Sequence, residues 1–506
     1  MAVTLDLDFT ATPTLDPRIT FSRASLGTYY GSDGLLKYAA HNLQLQSQTF
    51  DNASWVKAAG ATVTADAALA PDGTMTADRL NHVTGVAISA ALNGQGSQTL
   101  PAIISVYAKA GTNNFLALAR TSTVTPSVNM ACFDLATGTL GTRGSDWVAS
   151  GMEDAGNGWY RCWARSATQI TGSYIRGTQA NNNGNNTTNG DIYLWGAQLE
   201  WTNGVTTTPS AYIKTTTVEV HAPRFDYDPV SHAAKGLLIE ASFTNSLTNS
   251  QDFTNATYTK TGITVTADQT VAPDGTTTAD LITVSASPAT LTVNFAVTDG
   301  QTYVMSVFAK KGTTDWFYLC GLIGAPAEAP KAWFNLNTGV VGTVEAGVSA
   351  GIQNVGSGWY RCWLTRTAPT GGTERWNAGV CDADGSAAVT VGKTAYFWGG
   401  QFEIQGTSGL GIPTSYIPTG GSTVTRSPDV AVMTGTNFSS WFNASAGTFV
   451  AEFSLLAASG TRAIISADGG STAEQILLYS SGSDPKAKVR DNSVDQADLD
   501  LGTIAA

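Results

Sequence analysis

The sequence predicts an all-β protein whose main bodies are two tandem two-sheet sandwiches. Three observations carry the prediction. Thr, Val, Trp, Tyr and Phe are concentrated between short turns marked by 53 glycines, the pattern of strands and not of helices. No long amphipathic helical period runs through any segment. A set of motifs occurs twice in the same order. At 506 residues the chain exceeds what one core can organise, so about three or four domains are expected.

The duplication fixes the organisation. Ala70-Pro-Asp-Gly-Thr74 returns as Ala272-Pro-Asp-Gly-Thr276, and Tyr107-Ala-Lys-Ala-Gly-Thr112 as Phe308-Ala-Lys-Lys-Gly-Thr313. Gly158-Trp-Tyr-Arg-Cys-Trp163 returns unchanged as Gly358-Trp-Tyr-Arg-Cys-Trp363, and Leu194-Trp-Gly-Ala-Gln-Leu-Glu200 as Phe397-Trp-Gly-Gly-Gln-Phe-Glu403. The chain then divides into an N-terminal β segment (1–41), a first module (42–215), a connecting segment (216–245), a second module (246–419) and a C-terminal region (420–506).

Within a module the motifs read as strands and turns. Pro at the second position and Gly at the fourth of Ala70-Pro71-Asp72-Gly73 suit a type I turn, with Asp72 and its counterpart Asp274 as turn formers. Alternation puts Trp159, Arg161 and Trp163 on one face of a strand and Tyr160, Cys162 and Ala164 on the other. Neither face is polar enough for full exposure, which predicts an interior strand of a sandwich.

Charged residues are 13% of the chain and the net charge is −12, with no basic run. A nucleic-acid groove needs clustered cations to displace phosphate counterions, so that partner is excluded as an expectation. No apolar run of roughly 18 residues suggests a membrane span. The N-terminus alternates like a strand and lacks the layout of a signal peptide, so folding in a cytoplasm is expected. The five cysteines (Cys132, Cys162, Cys320, Cys362 and Cys381) are odd in number and show no zinc spacing, which predicts free thiols in apolar strands.

Asn42-Leu-Gln-Leu-Gln46, Phe50-Asp-Asn-Ala-Ser-Trp55, the Pro-Asp-Gly-Thr turn, Gly-Trp-Tyr-Arg and Trp-Gly-Ala-Gln-Leu-Glu together resemble the galactose-binding-like jelly-roll modules, related to carbohydrate-binding modules, of phage tail and head-fibre proteins. The resemblance covers both repeats, about two thirds of the chain. Arg18-Ile-Thr-Phe-Ser-Arg-Ala-Ser25, Ser32-Asp-Gly-Leu-Leu36 and Pro223-Arg-Phe-Asp-Tyr-Asp-Pro229 through Gly236-Leu-Leu-Ile-Glu240 are similar to blocks that such proteins carry together before a module. Here the first repeat separates them, as an insertion would. Thr425-Arg-Ser-Pro-Asp429 through Phe449-Val-Ala-Glu-Phe453 resembles the start of a concanavalin/laminin-G-like sandwich, expected to continue beyond residue 506.

The resemblance implies two jelly rolls in a virion protein, a tail or head fibre assembled in the host cytoplasm. Its partners would be tail, portal or capsid proteins, a host-surface glycan and further copies of itself, trimers included. It also implies a structural calcium near the terminal strands, for which Glu200 and Glu403 are the candidates. Sugar sites pair aromatic faces with amides and charged groups. Trp159, Trp163, Trp195 and their counterparts Trp359, Trp363 and Trp398 occur in both copies and read as scaffold. Glycan candidates are sought where the copies differ: Trp316 against Phe115, and Trp376 with Arg375 and Asn377 near the place of Tyr174. Trp376 is the foremost of them, in the second module, while the first module offers Tyr174 as a candidate with Arg176 nearby and the polar run Asn181–Asn186.

No catalytic constellation is expected. Gly347-Val-Ser349-Ala-Gly351 matches a nucleophile elbow, but an esterase needs a later histidine, and His41, His82, His221 and His232 all precede it. Binding is therefore the expected activity. A glycan depolymerase with its catalytic part outside this chain, and a structural spacer that binds no sugar, are the rivals.

Overall fold

The computed structural model describes residues 5–502 apart from 59, 83–87, 92–99, 121–124, 169, 171, 184–188, 204–205, 322–328, 369–371, 407–409, 444–445 and 456–460, with the backbone alone at 88–91. It is an all-β protein whose one described helix is the single turn Thr436–Ser439. Each repeat is a sandwich of two six-stranded antiparallel sheets. In the first module one sheet runs Thr139–Arg143, Met130–Asp134, Phe115–Ala119, Gly172–Thr178, Ile88–Ala91, Trp55–Lys57. Its companion runs Ala149–Gly156, Trp159–Ser166, Ala102–Ala110, Gly190–Trp201, Ala77–His82, Thr62–Ala68.

The second module repeats this wiring. Its first sheet runs Val340–Val344, Lys331–Asn335, Trp316–Cys320, Gly372–Cys381, Ala289–Val297, Thr259–Thr261. The companion runs Ser349–Asn354, Trp359–Thr367, Thr302–Lys311, Thr394–Gly406, Ala279–Val284, Ile263–Thr270. Non-sequential neighbours in all four of these sheets make the modules jelly rolls, as the resemblance implies.

Alternation explains the packing. Cys162 and Cys362 point into two separate cores, with Leu116, Phe133 and Leu194 in one and Phe317, Phe334 and Phe397 in the other. All five cysteines are buried thiols, and burial pushes the Cys320 and Cys381 thiols up to about 11 and about 12. On the opposite face of each motif strand the tryptophans common to both copies find fixed partners. Trp159 and Trp359 donate to the Leu69 and Val271 carbonyls at 3.0 and 2.9 Å. Trp163 and Trp363 pack against Gly151 and Gly351, where a Cβ would sit 2.3 and 2.1 Å from the ring. Gly351 is therefore required by an indole, and Ser349 opens an ordinary strand paired with Thr365, with no strand–turn–helix elbow around it.

Both modules are closed by one asparagine each. Asn42 Nδ2 donates to the Ala197 and Ile213 carbonyls at 2.9 and 2.7 Å, while its Oδ1 accepts the Gln44 and Leu199 amides. Asn245 does the same with Gly400, Ile417, Leu247 and Phe402. All amide valences are used, so the start of each module is sewn to its last strand and its return segment.

The flanking segments are not three separate pieces. Thr20–Ser22 pairs with Val430–Val432, His41–Asn42 with Val220–His221, and Phe243–Asn245 with Val424–Arg426. The N-terminal segment, the connecting segment and the first residues after the second module thus form one composite base. At its centre Asp429 receives Arg23 at 2.8 Å and Arg224, and Glu240 receives Arg224 at 2.7 Å, with Arg426 3.5 Å away. All five side chains are almost fully buried. Burial pushes the Glu240 carboxyl up, but Arg426 and Arg224 outweigh it and hold it at about 2.

Beyond the base lies a four-stranded antiparallel sheet, Thr461–Asp468, Gln475–Ser481, Asp484–Asp491 and Val494–Asp500. One face carries the ladder Lys486–Asp500, Lys488–Asp495 and Arg490–Asp495. Ile476, Val489 and Leu499 alternate onto the other.

Candidate functional site

Four strands of the second module place its distinctive aromatics on one outer face: Trp316–Cys320, Lys331–Asn335, Val340–Val344 and Gly372–Cys381. Phe317, Leu319, Phe334, Trp376, Ala378 and Val380 alternate inward to the core. Trp316, Tyr318, Cys320, Trp333 and Cys381 alternate outward, where they form a second apolar cluster with Ala329 and Ala387. Tyr318 and Trp333 face each other across paired strands, ring centres 5.9 Å apart. Gly379 makes room for this: a Cβ there would lie 2.1 Å from the Tyr318 ring. Trp333 Nε1 donates to the Ser386 carbonyl at 2.8 Å, so the loop after Cys381 seals that part of the face.

Trp316 sits at the open end of the cluster and is half-buried. Its ring comes within 2.6 Å, and the Asp384 carboxylate within 2.4 Å, of the point where Gly342 lacks a Cβ. Asp384 is exposed and anchored by the Thr343 amide at 2.7 Å and hydroxyl at 3.1 Å. An indole beside an exposed carboxylate offers an apolar plane and a hydrogen-bond acceptor side by side.

The other candidates separate by face. Trp376 is overturned as a ligand platform. It is 0% exposed, stacked on Phe253 at 6.0 Å, and donates through Nε1 to the Ser306 carbonyl at 3.2 Å. The reason is register. Phe115 pairs with Thr178 and Trp316 with Cys381, so Tyr174 corresponds to Asn377, and Trp376 to the inward Ser173. Arg375 and Asn377 do lie on the outer face with Trp316. Arg375 Nε donates to Asn294 at 3.0 Å at the rim. Asn377 is buried, and its Oδ1 accepts no hydrogen bond from any described residue.

In the first module Tyr174 is half-buried on the equivalent face, packed against Ala117, Ala119, Met130 and Cys132 and folded over Gly172. Here Ala117 and Arg176 stand where the second module has Tyr318 and Gly379. Asn181 replaces Asp384, accepting the Thr142 amide at 2.7 Å. Residues 184–186 of the Asn181–Asn186 run lie outside the described residues. Sequence reasoning missed Tyr318, Trp333 and Asp384. Aromatics opposite Ala117 and Cys132 of the other copy were the available signal for the first two.

Glu200 and Glu403 do not fit a calcium site. Glu200 is spent on the Ser210 amide at 3.0 Å, and Glu403 on the Thr414 amide at 3.0 Å and the Thr414 hydroxyl. Burial raises both carboxyls, against those hydrogen bonds. They tie the last strand to the return segment of each module. Among the described residues no group of three acids, histidines or cysteines is placed to hold a metal ion.

No protein-family model and no curated protein matches the sequence. Among solved structures the chain is similar to the N-terminal CBM22-1–CBM22-2 tandem domain of Xyn10C from Paenibacillus barcinonensis, at 12% identity over 72% of this chain and 98% of that one. The TM-score of 0.25 is too low for that likeness to assign a ligand.

Proposed function

We propose that the chain is a non-catalytic, adhesive virion component, of the tail or head-fibre kind, that takes a host-surface glycan on the outer face of its second sandwich. The observation that carries the glycan reading is the half-exposed Trp316 indole beside the exposed Asp384 carboxylate, backed by Tyr318 and Trp333. A pyranose presents an apolar C–H patch to the indole and hydroxyls to Asp384, with the rim guanidinium of Arg375 further along the face. Repetition along a particle would multiply weak single contacts. The virion reading is supported by the resemblance of the flanking blocks to those of phage proteins, two of which, around Arg23 and around Arg224 and Glu240, meet in one buried charge cluster with Asp429.

The test is a glycan panel probed with the whole chain and with Trp316→Ala. Retention of a defined glycan by the wild type and its loss in the variant is expected. Equal retention by both, or none by either, would leave a spacer role.

A further inference from the structure

The two modules carry the same aromatic patch on the outer face of their companion sheets, yet among the described residues only one patch is covered by another segment. In the second module Phe308, Trp359, Trp398 and Tyr416 form a buried cluster with Leu36 and Tyr30 of the N-terminal hairpin Thr28–Tyr38. The hairpin is also held by its backbone: the Leu36 amide donates to the Pro273 carbonyl at 3.0 Å. In the first module Tyr107, Trp159, Trp195 and Tyr212 repeat that cluster with the same internal contacts, and no described residue from another segment joins it.

The indoles Trp159 and Trp195 are buried like Trp359 and Trp398, and the cover changes the outer rings and the turn. Phe308 and Tyr416 are 0% and 2% exposed, whereas Tyr107 and Tyr212 are only half-buried. Asp274 and Thr276 are buried, whereas Asp72 and Thr74 of the same turn are exposed.

We infer that the patch of the first module is a protein-docking surface whose partner is a β-hairpin of the Thr28–Tyr38 kind. Such a hairpin presents a tyrosine and a leucine on one face and a free edge amide for the Pro71 carbonyl. The second module shows the chemistry that seats there, and its own hairpin is already engaged, so the occupant comes from another chain. This surface belongs to the first module and to its companion sheet, whereas the glycan face belongs to the other sheet of the second module, so its test is independent of sugar.

The probe is a backbone-cyclised peptide of residues 26–40, titrated into the whole chain and followed by tryptophan fluorescence. Saturable 1:1 binding is expected, lost at least tenfold in the chain variant Thr74→Arg and in the peptide variant Leu36→Asp. Thr74 is exposed, so the chain variant should keep its melting temperature. Against a peptide too floppy to bind, a second measurement attaches the same segment by a flexible linker to the N-terminus of the whole chain, at an effective concentration on the order of millimolar. Amide exchange at Thr74 and Met75 should then slow at least tenfold. Unchanged exchange in the tethered chain, or peptide binding indifferent to Thr74→Arg, would overturn the inference.

Discussion

Replacing Trp376 by alanine removes an indole stacked on Phe253 and leaves the Ser306 carbonyl without its donor. A loss of about 3–5 kcal/mol is expected from the cavity. Trp316→Ala, at a half-buried site on the outer face, should cost less than about 1.5 kcal/mol. Urea unfolding of the two variants checks the assignment of faces, and a reversed order would refute it. Asp78 and Asp280 give a pH signature at the same scale. Each accepts two backbone amides, from Phe50 and Asp66 and from Phe253 and Asp268. Burial, against those amides, pushes both carboxyls up to about 6 from 3.8. The folded state thus holds these protons more tightly than the unfolded state, so their burden is full above pH 6 and is relieved as pH falls toward 3.8. In the double variant Asp78→Asn, Asp280→Asn the melting temperature should gain less than the wild type does between pH 6 and pH 4. Parallel profiles would contradict this.

Glycines opposite rings set the fit between strands. Gly351→Ala places a methyl 2.1 Å from the Trp363 ring, and the indole cannot move without losing its cover of the strand. A cost of about 1–3 kcal/mol from overpacking is expected in denaturant titration. A neutral result would show that the indole is loosely held. Much at this scale was legible in the sequence. The repeated Trp-Tyr-Arg-Cys-Trp block declared a strand, its alternation told which side chains share a face, and the order of blocks declared two copies of one sandwich. What was not legible was register within the diverged strands. The loops between Phe115 and Thr178 differ in length from those between Trp316 and Cys381, and aligning Trp376 with Tyr174 was one residue out. In a strand a slip of one moves every side chain to the other face, so a core indole passed for a surface one.

The composite base illustrates the same limit at the largest scale. Arg23 and Asp429 are 406 positions apart, and nothing local in either block announces the pair. Asp429→Ala would leave Arg23 and Arg224 as buried cations without that carboxylate. A cost of about 3–5 kcal/mol is expected, with new proteolytic cleavage between Arg23 and Ala40 as the N-terminal segment loosens. A loss under about 1 kcal/mol with no new cleavage would mean that the base does not depend on its ion cluster. For the molecule as a whole, the outer face of the second sandwich is the feature on which the proposed function rests. Hydroxyl-radical footprinting of the intact chain, with and without a glycan that it retains, tests this most directly. Protection centred on Trp316, with Thr343 and Asp384, and none at Trp376 or Tyr174, is the predicted outcome. Protection confined to the first module, or absent from Trp316, would contradict it.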